Sequence, residues 1–153
     1  MKVLLVYDTV SSMRLTAKVA ETIVRVLKDK GIQVDSFYVK EVDKAIVKNY
    51  DCLVAGAPTI FFKASSGITE FLDSLPKEFS AKPAAAFDTQ LQSRFSGSAV
   101  KGIEGKLKSL GFRLITTPLI TYVEGKQNEM QLKEGELEKT KCWTQTFAEA
   151  LSK

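Results

Sequence analysis

The sequence predicts an α/β protein with one domain, residues 1–153, built on a doubly wound, five-stranded parallel sheet. Segments typical of strands, either continuously apolar or alternating, recur along the chain, and segments with apolar residues at spacings of three and four lie among them. Because parallel neighbours in a sheet need crossover connections, this alternation favours helices on both faces of the sheet, with strand order 2-1-3-4-5. The length and the hydrophobic fraction of 44% suit one compact core.

Five segments are predicted as strands. They are KVLLVY at 2–7, IQVDSFYV at 32–39, DCLVAGAP at 51–58, KPAAAFDT at 82–89 and FRLITTPLITYV at 112–123. The first is nearly continuous in apolar residues, as expected of a strand buried on both faces, and the second alternates.

Four helices are predicted from apolar residues that share one face. Their apolar faces are Val19, Ala20, Ile23, Val24 and Leu27; Ile68, Phe71, Leu72 and Leu75; Val100, Ile103, Leu107 and Leu110; and Trp143, Phe147 and Leu151. The first helix is expected to end at Gly31, the second at Pro76 and the third at Gly111, since glycine and proline commonly mark helix ends.

The composition argues against several functional classes. The chain has no histidine, so histidine-based hydrolytic triads and zinc sites are not expected. Cys52 and Cys142 match no metal-binding spacing, and the N-terminal apolar run is too short for a signal peptide or a membrane span. The net charge of +4 is spread along the chain without a polybasic tract, so we expect no nucleic-acid partner. A reduced, cytoplasmic protein is the expectation.

Three loops follow strands at the edge of the sheet where ligands of such folds bind. In an open parallel sheet, ligands occupy the crevice outside the carboxyl ends of the strands, where the strand order reverses. The loops are DTVSSMRLT after the first strand, APTIFFKASS after the third and DTQLQSRFSGS after the fourth.

At these loops the sequence resembles the flavodoxin family, over nearly the whole chain. The resemblance rests on VYDTVSS before a helix containing AETI, AGAPTIFF at the end of the third strand, FSGSAVKGIEGKLKSLGF on the fourth helix of that family, and Trp143. The segment FSGSAVKGIEGKLKSLGF is most similar to the flavodoxin-like domain of flavo-diiron proteins. The resemblance implies noncovalently bound flavin mononucleotide (FMN) and electron transfer, with no catalytic acid or base.

The first loop is where the sequence departs most from that family. Flavodoxins hold the FMN phosphate there with hydroxyls and amides at a helix N-terminus. The hydroxyls of Thr9, Ser11 and Ser12 are retained, but the family's Gly-Asn-Thr portion is absent and the loop is about two residues longer around Met13. One interpretation is that Arg14 replaces the lost contacts with its guanidinium. The other is that Met13 and Leu15 cap the helix while Arg14 faces water. The resemblance also places Val10 among the cofactor-binding residues.

The second loop carries the aromatic residues of the candidate site. The resemblance places the residues after Pro58 and Thr59 against the flavin ring, which brings Ile60, Phe61 and Phe62 within reach. A flat apolar side chain suits the face of a flavin. We expect one phenylalanine to contact the ring and the other to pack under the loop.

In the third loop, Leu91 stands where the family often has a second aromatic stacking residue. Thr89 lies beside it, and Phe95 is expected against the following helix rather than on the flavin. Asp88 is interpreted as a turn residue at the end of a strand, shaping the loop whose backbone contacts the flavin's pyrimidine edge.

Two functions are compatible with these residues. The first is an FMN-binding electron-transfer protein; the second is a protein of the same fold that has lost FMN and serves as an interaction or small-anion-binding module. The pI of about 9.0 favours a less reducing flavin and a redox partner with an acidic docking face. Enzymatic activity and oligomeric state are left open.

Overall fold

The computed structural model describes residues 1–10, 13–92, 97–126 and 128–153. The strands are β1 (Lys2–Tyr7), β2 (Gln33–Tyr38), β3 (Cys52–Ile60), β4 (Lys63–Ala64), β5 (Pro83–Leu91), β6 (Arg113–Leu114), β7 (Leu119–Glu124) and β8 (Gln131–Leu132). The α-helices are α1 (Leu15–Asp29), α2 (Ser66–Asp73), α3 (Ala99–Ser109) and α4 (Glu136–Leu151), and a 3-10 helix spans Lys44–Asn49.

The five long strands form a parallel sheet in the order β2-β1-β3-β5-β7. When only these five strands are numbered along the chain, their order in the sheet is 2-1-3-4-5, as predicted. Three two-residue strands join them: β4 pairs antiparallel with β3, β6 pairs parallel with β5, and β8 pairs antiparallel with β7. β4 and β8 were not predicted, whereas β6 falls within the predicted fifth strand. The sheet is therefore mostly, rather than wholly, parallel.

The predicted fifth strand is interrupted. Its residues divide into β6 and β7, and Pro118 immediately precedes β7. Proline lacks the N–H that a central strand donates, and it restricts the residue before it, so a continuous strand through this position is disfavoured.

Helices cover both faces of the sheet, as predicted. On β1, Leu4 and Val6 pack into a core with α2 and α3, whereas Val3 and Leu5 pack into a second core with α1 and α4. All four side chains are fully buried, which explains the continuous apolar run in the sequence. No described helix is long and apolar enough to cross a membrane.

Gly56 shows why one position in the central strand β3 must be small. A Cβ at this position would lie about 2.1 Å from the ring of Phe87 on the neighbouring strand. The aromatic ring therefore fills the space that a side chain at position 56 would occupy.

Candidate functional site

The carboxyl ends of β1, β3 and β5 meet around one cleft, as predicted. This cleft, called the three-loop cleft below, has a volume of about 200 Å³. It is lined by Thr9, Val10, Leu15, Thr16, Pro58, Thr59, Thr89, Gln90, Leu91, Val123 and Met130. The sequence predicted Thr9, Val10, Pro58, Thr59, Thr89 and Leu91 for the site. It did not predict Gln90 of β5, nor the residues contributed by α1 and by the chain around β7 and β8.

The N-terminus of α1 opens at this cleft. Leu15, Thr16 and Ala17 are buried, and their backbone N–H groups have no acceptor among the described residues. Unpaired N–H groups at the start of a helix attract anions, because the helix dipole adds to their partial positive charge. The predicted residues Ser11 and Ser12 lie outside the described residues.

Arg14 takes the backbone conformation that glycine usually provides. It precedes α1 with φ 52° and ψ 43°, which is left-handed, and its side chain is exposed. An arginine pays a steric penalty there that a glycine does not. Leu15 is buried and Met13 is half-buried, and the N-cap residue of α1 is Arg14 itself. Contact between Arg14 and a phosphate stays a prediction.

A buried hydroxyl pair joins α1 to β5. The Oγ1 atoms of Thr16 and Thr89 are 2.8 Å apart, and both residues are buried. This hydrogen bond fixes the start of α1 against the end of β5. Sequence reasoning missed Thr16 because a threonine in a first helical turn carries no signal for a partner 73 positions away.

Phe61 and Phe62 form the turn of a β-hairpin. Ile60 of β3 pairs with Lys63 of β4, so the two phenylalanines are the only residues between the paired strands. Their φ angles are 47° and 71°, as a two-residue type I′ turn requires. Such turns normally contain asparagine and glycine, since positive φ strains other residues.

The expectation that one of these phenylalanines packs under the loop is wrong. Phe61 is 89% exposed and Phe62 is 61% exposed, because the two-residue turn projects both side chains away from the core. Together with Ile60 they line a different cavity, between α2 and α3, rather than the three-loop cleft. Their contact with a flavin ring stays a prediction.

Asp88 is not the turn residue that the sequence indicated. It lies inside β5, three residues before the end of the strand, and is fully buried. Its Oδ2 accepts hydrogen bonds from Thr59 Oγ1 at 3.1 Å and Gln90 Nε2 at 2.7 Å, with Ser98 Oγ at 3.5 Å. Its Oδ1 is buried and has no hydrogen-bond partner among the described residues. Burial raises the pKa of Asp88 to about 6, although these hydrogen bonds act against the increase.

Thr59 connects this carboxyl group to α3. Its hydroxyl donates to Asp88 and accepts from the backbone N–H of Ala99, the first residue of α3, at 2.9 Å. One side chain on β3 thus positions both the buried carboxyl group and the start of the helix that follows β5.

A second buried carboxyl group, Asp8, connects β1 to α2. Its Oδ2 accepts a hydrogen bond from the Ser65 hydroxyl, and its Oδ1 accepts one from Thr9 N at 2.8 Å. A Cβ at Gly67 would lie 2.5 Å from Asp8 Oδ2, so glycine is required for this approach. The contact holds the beginning of the first loop against the beginning of α2.

Exposed apolar side chains lie in all three loops: those of the first and third loops line the three-loop cleft, and those of the second line the cavity between α2 and α3. Six large hydrophobic side chains are exposed among the described residues, and four of them belong to the three loops. These four are Val10, Phe61, Phe62 and Leu91. Exposed hydrophobic residues that cluster mark binding surfaces more often than single ones do. Phe95 lies outside the described residues, and the described residues contain no group of three or more potential metal-binding side chains of the His, Cys, Asp and Glu types.

Comparison with known proteins gives matches at the level of structure. No protein-family model matches the sequence, and a search of the curated proteins gives no significant match. An archaeal flavodoxin superposes with a TM-score of 0.81 at 21% identity, with 100% of both chains covered. Oxidised flavodoxin 1 from Bacillus cereus superposes with a TM-score of 0.79 at 19% identity, covering 97% of this chain and 98% of that one.

The flavodiiron core of Synechocystis is similar as well. Its TM-score is 0.74 at 19% identity, and the superposition covers 99% of this chain but only 36% of that larger one. Both kinds of protein that the sequence resembles therefore share its architecture. The chain has a flavodoxin-like fold.

Proposed function

We propose that this protein binds FMN at the three-loop cleft and transfers electrons through it. The observation that carries the proposal is the position of the exposed apolar residues Val10 and Leu91 in the same cleft as N–H groups of α1 that have no acceptor among the described residues. A phosphate needs hydrogen-bond donors, and the N–H groups of Leu15, Thr16 and Ala17 supply them. A flavin ring needs apolar surface, and the exposed side chains of Val10 in the first loop and Leu91 in the third loop supply it at this cleft.

The residues present therefore fit a phosphorylated aromatic ligand. The cleft volume of about 200 Å³ is below the range of roughly 300–1,000 Å³ that is usual for ligand pockets. The ring would accordingly rest partly on the exposed rim. FMN supplies the redox chemistry when bound, and the residues of this chain bind it, orient it and set the charge around it.

The charge of the chain influences the reduction potential. Reduction adds negative charge to a flavin, and a chain with net charge +4 stabilises that charge more than an acidic chain does. We therefore expect a less reducing flavin than in an acidic carrier. A redox partner with an acidic face would complement the same charge.

Titration of FMN into the apoprotein, followed by flavin fluorescence, tests the proposal. We expect saturable quenching with a Kd in the micromolar range or tighter, about −8 kcal/mol or better. The contribution of Arg14 is measured with Arg14→Ala, which should weaken FMN about tenfold or more while leaving riboflavin, which lacks the phosphate, within about twofold. Arg25→Ala is the matched control, because Arg25 is exposed on the same helix farther from its N-terminus.

Absence of saturable quenching at ~100 μM FMN would contradict the proposal. It would favour the second candidate, an interaction module of the same fold. The observation that favours this candidate is that Phe61 and Phe62 face the cavity between α2 and α3 rather than the three-loop cleft.

A further inference from the structure

A long groove lies between α2, α3 and the hairpin of β3 and β4. Its main cavity has a volume of about 1010 Å³, and a second cavity of about 450 Å³ continues it along the same two helices. Both cavities are lined by Leu72, Gly102 and Lys106. We call the two together the helix groove. α3 has 11 residues, so the groove follows a helix of about 16 Å, longer than most small ligands need.

The aromatic turn of the hairpin forms one end of the helix groove. Phe61 and Phe62 line it, and both are exposed in left-handed conformations. An asparagine and a glycine would relieve the strain and would expose less apolar surface. Contact with another molecule would explain why aromatic residues occupy these strained, exposed positions.

Two glycines of α3 make its backbone accessible along the same groove. Gly102 and Gly105 lie in the interior of the helix, where glycine is less favourable than alanine. A Cβ at either position would meet nothing within 4 Å, so packing inside this chain does not require glycine there. The absence of side chains instead allows another molecule to approach the helix backbone closely.

The helix groove is positively charged. Lys63 and Lys101 line the main cavity, are exposed, and have no carboxylate partner among the described residues. Lys106 also lines it and pairs with Asp73 at 2.6 Å. No carboxylate lines the main cavity among the described residues. The ligand that complements this surface carries negative charge beside apolar groups.

We propose that the helix groove is the docking site for an acidic, amphipathic helix of a redox partner protein. The identification of the partner as a redox protein rests on the proposed function, whereas the charge and shape of its docking segment follow from the groove. Apolar residues of that helix contact Ile60, Phe61 and Phe62, and its carboxylates pair with Lys63 and Lys101. Its backbone packs across Gly102 and Gly105.

The experiment uses the apoprotein without added flavin, so its outcome is independent of FMN binding. The probe is a synthetic peptide of about 14 residues in which leucine recurs every three or four positions and glutamate fills the others. Nitrogen-15 NMR spectra should show saturable shifts at Phe61, Phe62, Lys101 and Gly105. A peptide with lysine in place of glutamate should cause none, and raising NaCl from about 50 to about 300 mM should weaken binding several-fold.

Two double variants locate the site, and a third serves as the control. Lys63→Glu with Lys101→Glu should weaken the acidic peptide at least about tenfold, whereas Lys40→Glu with Lys44→Glu, exposed lysines outside the groove, should stay within about twofold. Gly102→Ala with Gly105→Ala should also weaken binding at least about tenfold, while raising the unfolding temperature. Loss of binding in a more stable protein cannot result from misfolding.

Three results would overturn the docking proposal. The first is that the acidic peptide causes no saturable shift in the groove at about 1 mM, or that the lysine peptide binds equally well. The second is that reversal of Lys63 and Lys101 leaves the affinity unchanged. The third is a dimer in sedimentation velocity that the same charge reversal dissociates, which would assign the groove to a second copy of this chain.

Discussion

Replacing Asp88 with asparagine should change how the stability of this protein depends on pH. Asp88 is fully buried, and burial raises its pKa from 3.8 to about 6. For a carboxyl group whose pKa is higher in the folded state, folding is most favourable below pH 3.8, where both states are protonated. Stability then falls as the pH rises through about 6, because the unfolded state ionises more readily.

The size of the effect follows from the difference between the two pKa values. That difference is about 2 units, and one unit corresponds to roughly 1.4 kcal/mol, so ionisation of Asp88 costs about 3 kcal/mol of stability at neutral pH. Asparagine has no charge to desolvate, and its side-chain oxygen can still accept from Thr59 and Gln90. In asparagine an NH2 group takes the position of the unpartnered Oδ1, and its N–H groups have no acceptor there. Burying them costs about 1–3 kcal/mol of stability, and this cost does not vary with pH.

Urea unfolding from pH 3.5 to 8 measures this difference. We compare the free energies of unfolding of Asp88→Asn and of the original protein at each pH. Their difference should shift by about 3 kcal/mol in favour of Asp88→Asn between pH 3.5 and 8, whatever its value at pH 3.5. Asp29→Asn, an exposed carboxylate at the end of α1, is the control and should show no comparable increase. Parallel curves for Asp88→Asn, within about 0.5 kcal/mol, would refute the assignment of a desolvated carboxylate at this position.

Three further variants test the geometry by urea or thermal unfolding. Phe61→Asn with Phe62→Gly should stabilise the protein by about 2 kcal/mol, because these residues suit a type I′ turn; a less stable variant would show that the rings pack against the chain. Gly56→Ala should destabilise it by more than about 2 kcal/mol, since the new methyl would overlap the ring of Phe87, and an unchanged unfolding temperature would contradict that packing. Thr16→Val should cost about 1–3 kcal/mol by leaving its buried partner hydroxyl on β5 unsatisfied, whereas a cost below about 0.5 kcal/mol would show that water replaces the bond.

The architecture could be predicted because it depends on patterns that are local in the sequence. The continuous apolar run of β1 and the three-and-four spacing of α1 each identify an element within a few residues. The alternation of such elements then favours a parallel sheet. The strands β4 and β8 escaped prediction because a two-residue strand has no periodicity.

The site was harder to predict because its residues depend on partners far along the chain. Asp88 belongs to a polar DTQ segment that suggests a turn, but Thr59 and Ser98 supply hydrogen bonds that let it lie inside a buried strand. The exposure of Phe61 and Phe62 was missed because residues of this kind are unusual in a two-residue turn. Only the pairing of Ile60 with Lys63 shows that they occupy one.

The two hydrogen bonds of the Thr59 hydroxyl limit how this protein can be recombined with others of its fold. The hydroxyl belongs to a residue of the third strand, donates a hydrogen bond to the buried carboxyl group of β5 and accepts one from the first turn of α3. A chimaera that exchanges the end of β3 together with the following loop, and nothing else, would separate Thr59 from the aspartate and the helix start that it contacts. Transplantation of cofactor loops into this scaffold therefore requires the segments around positions 59, 88 and 98 to be exchanged together.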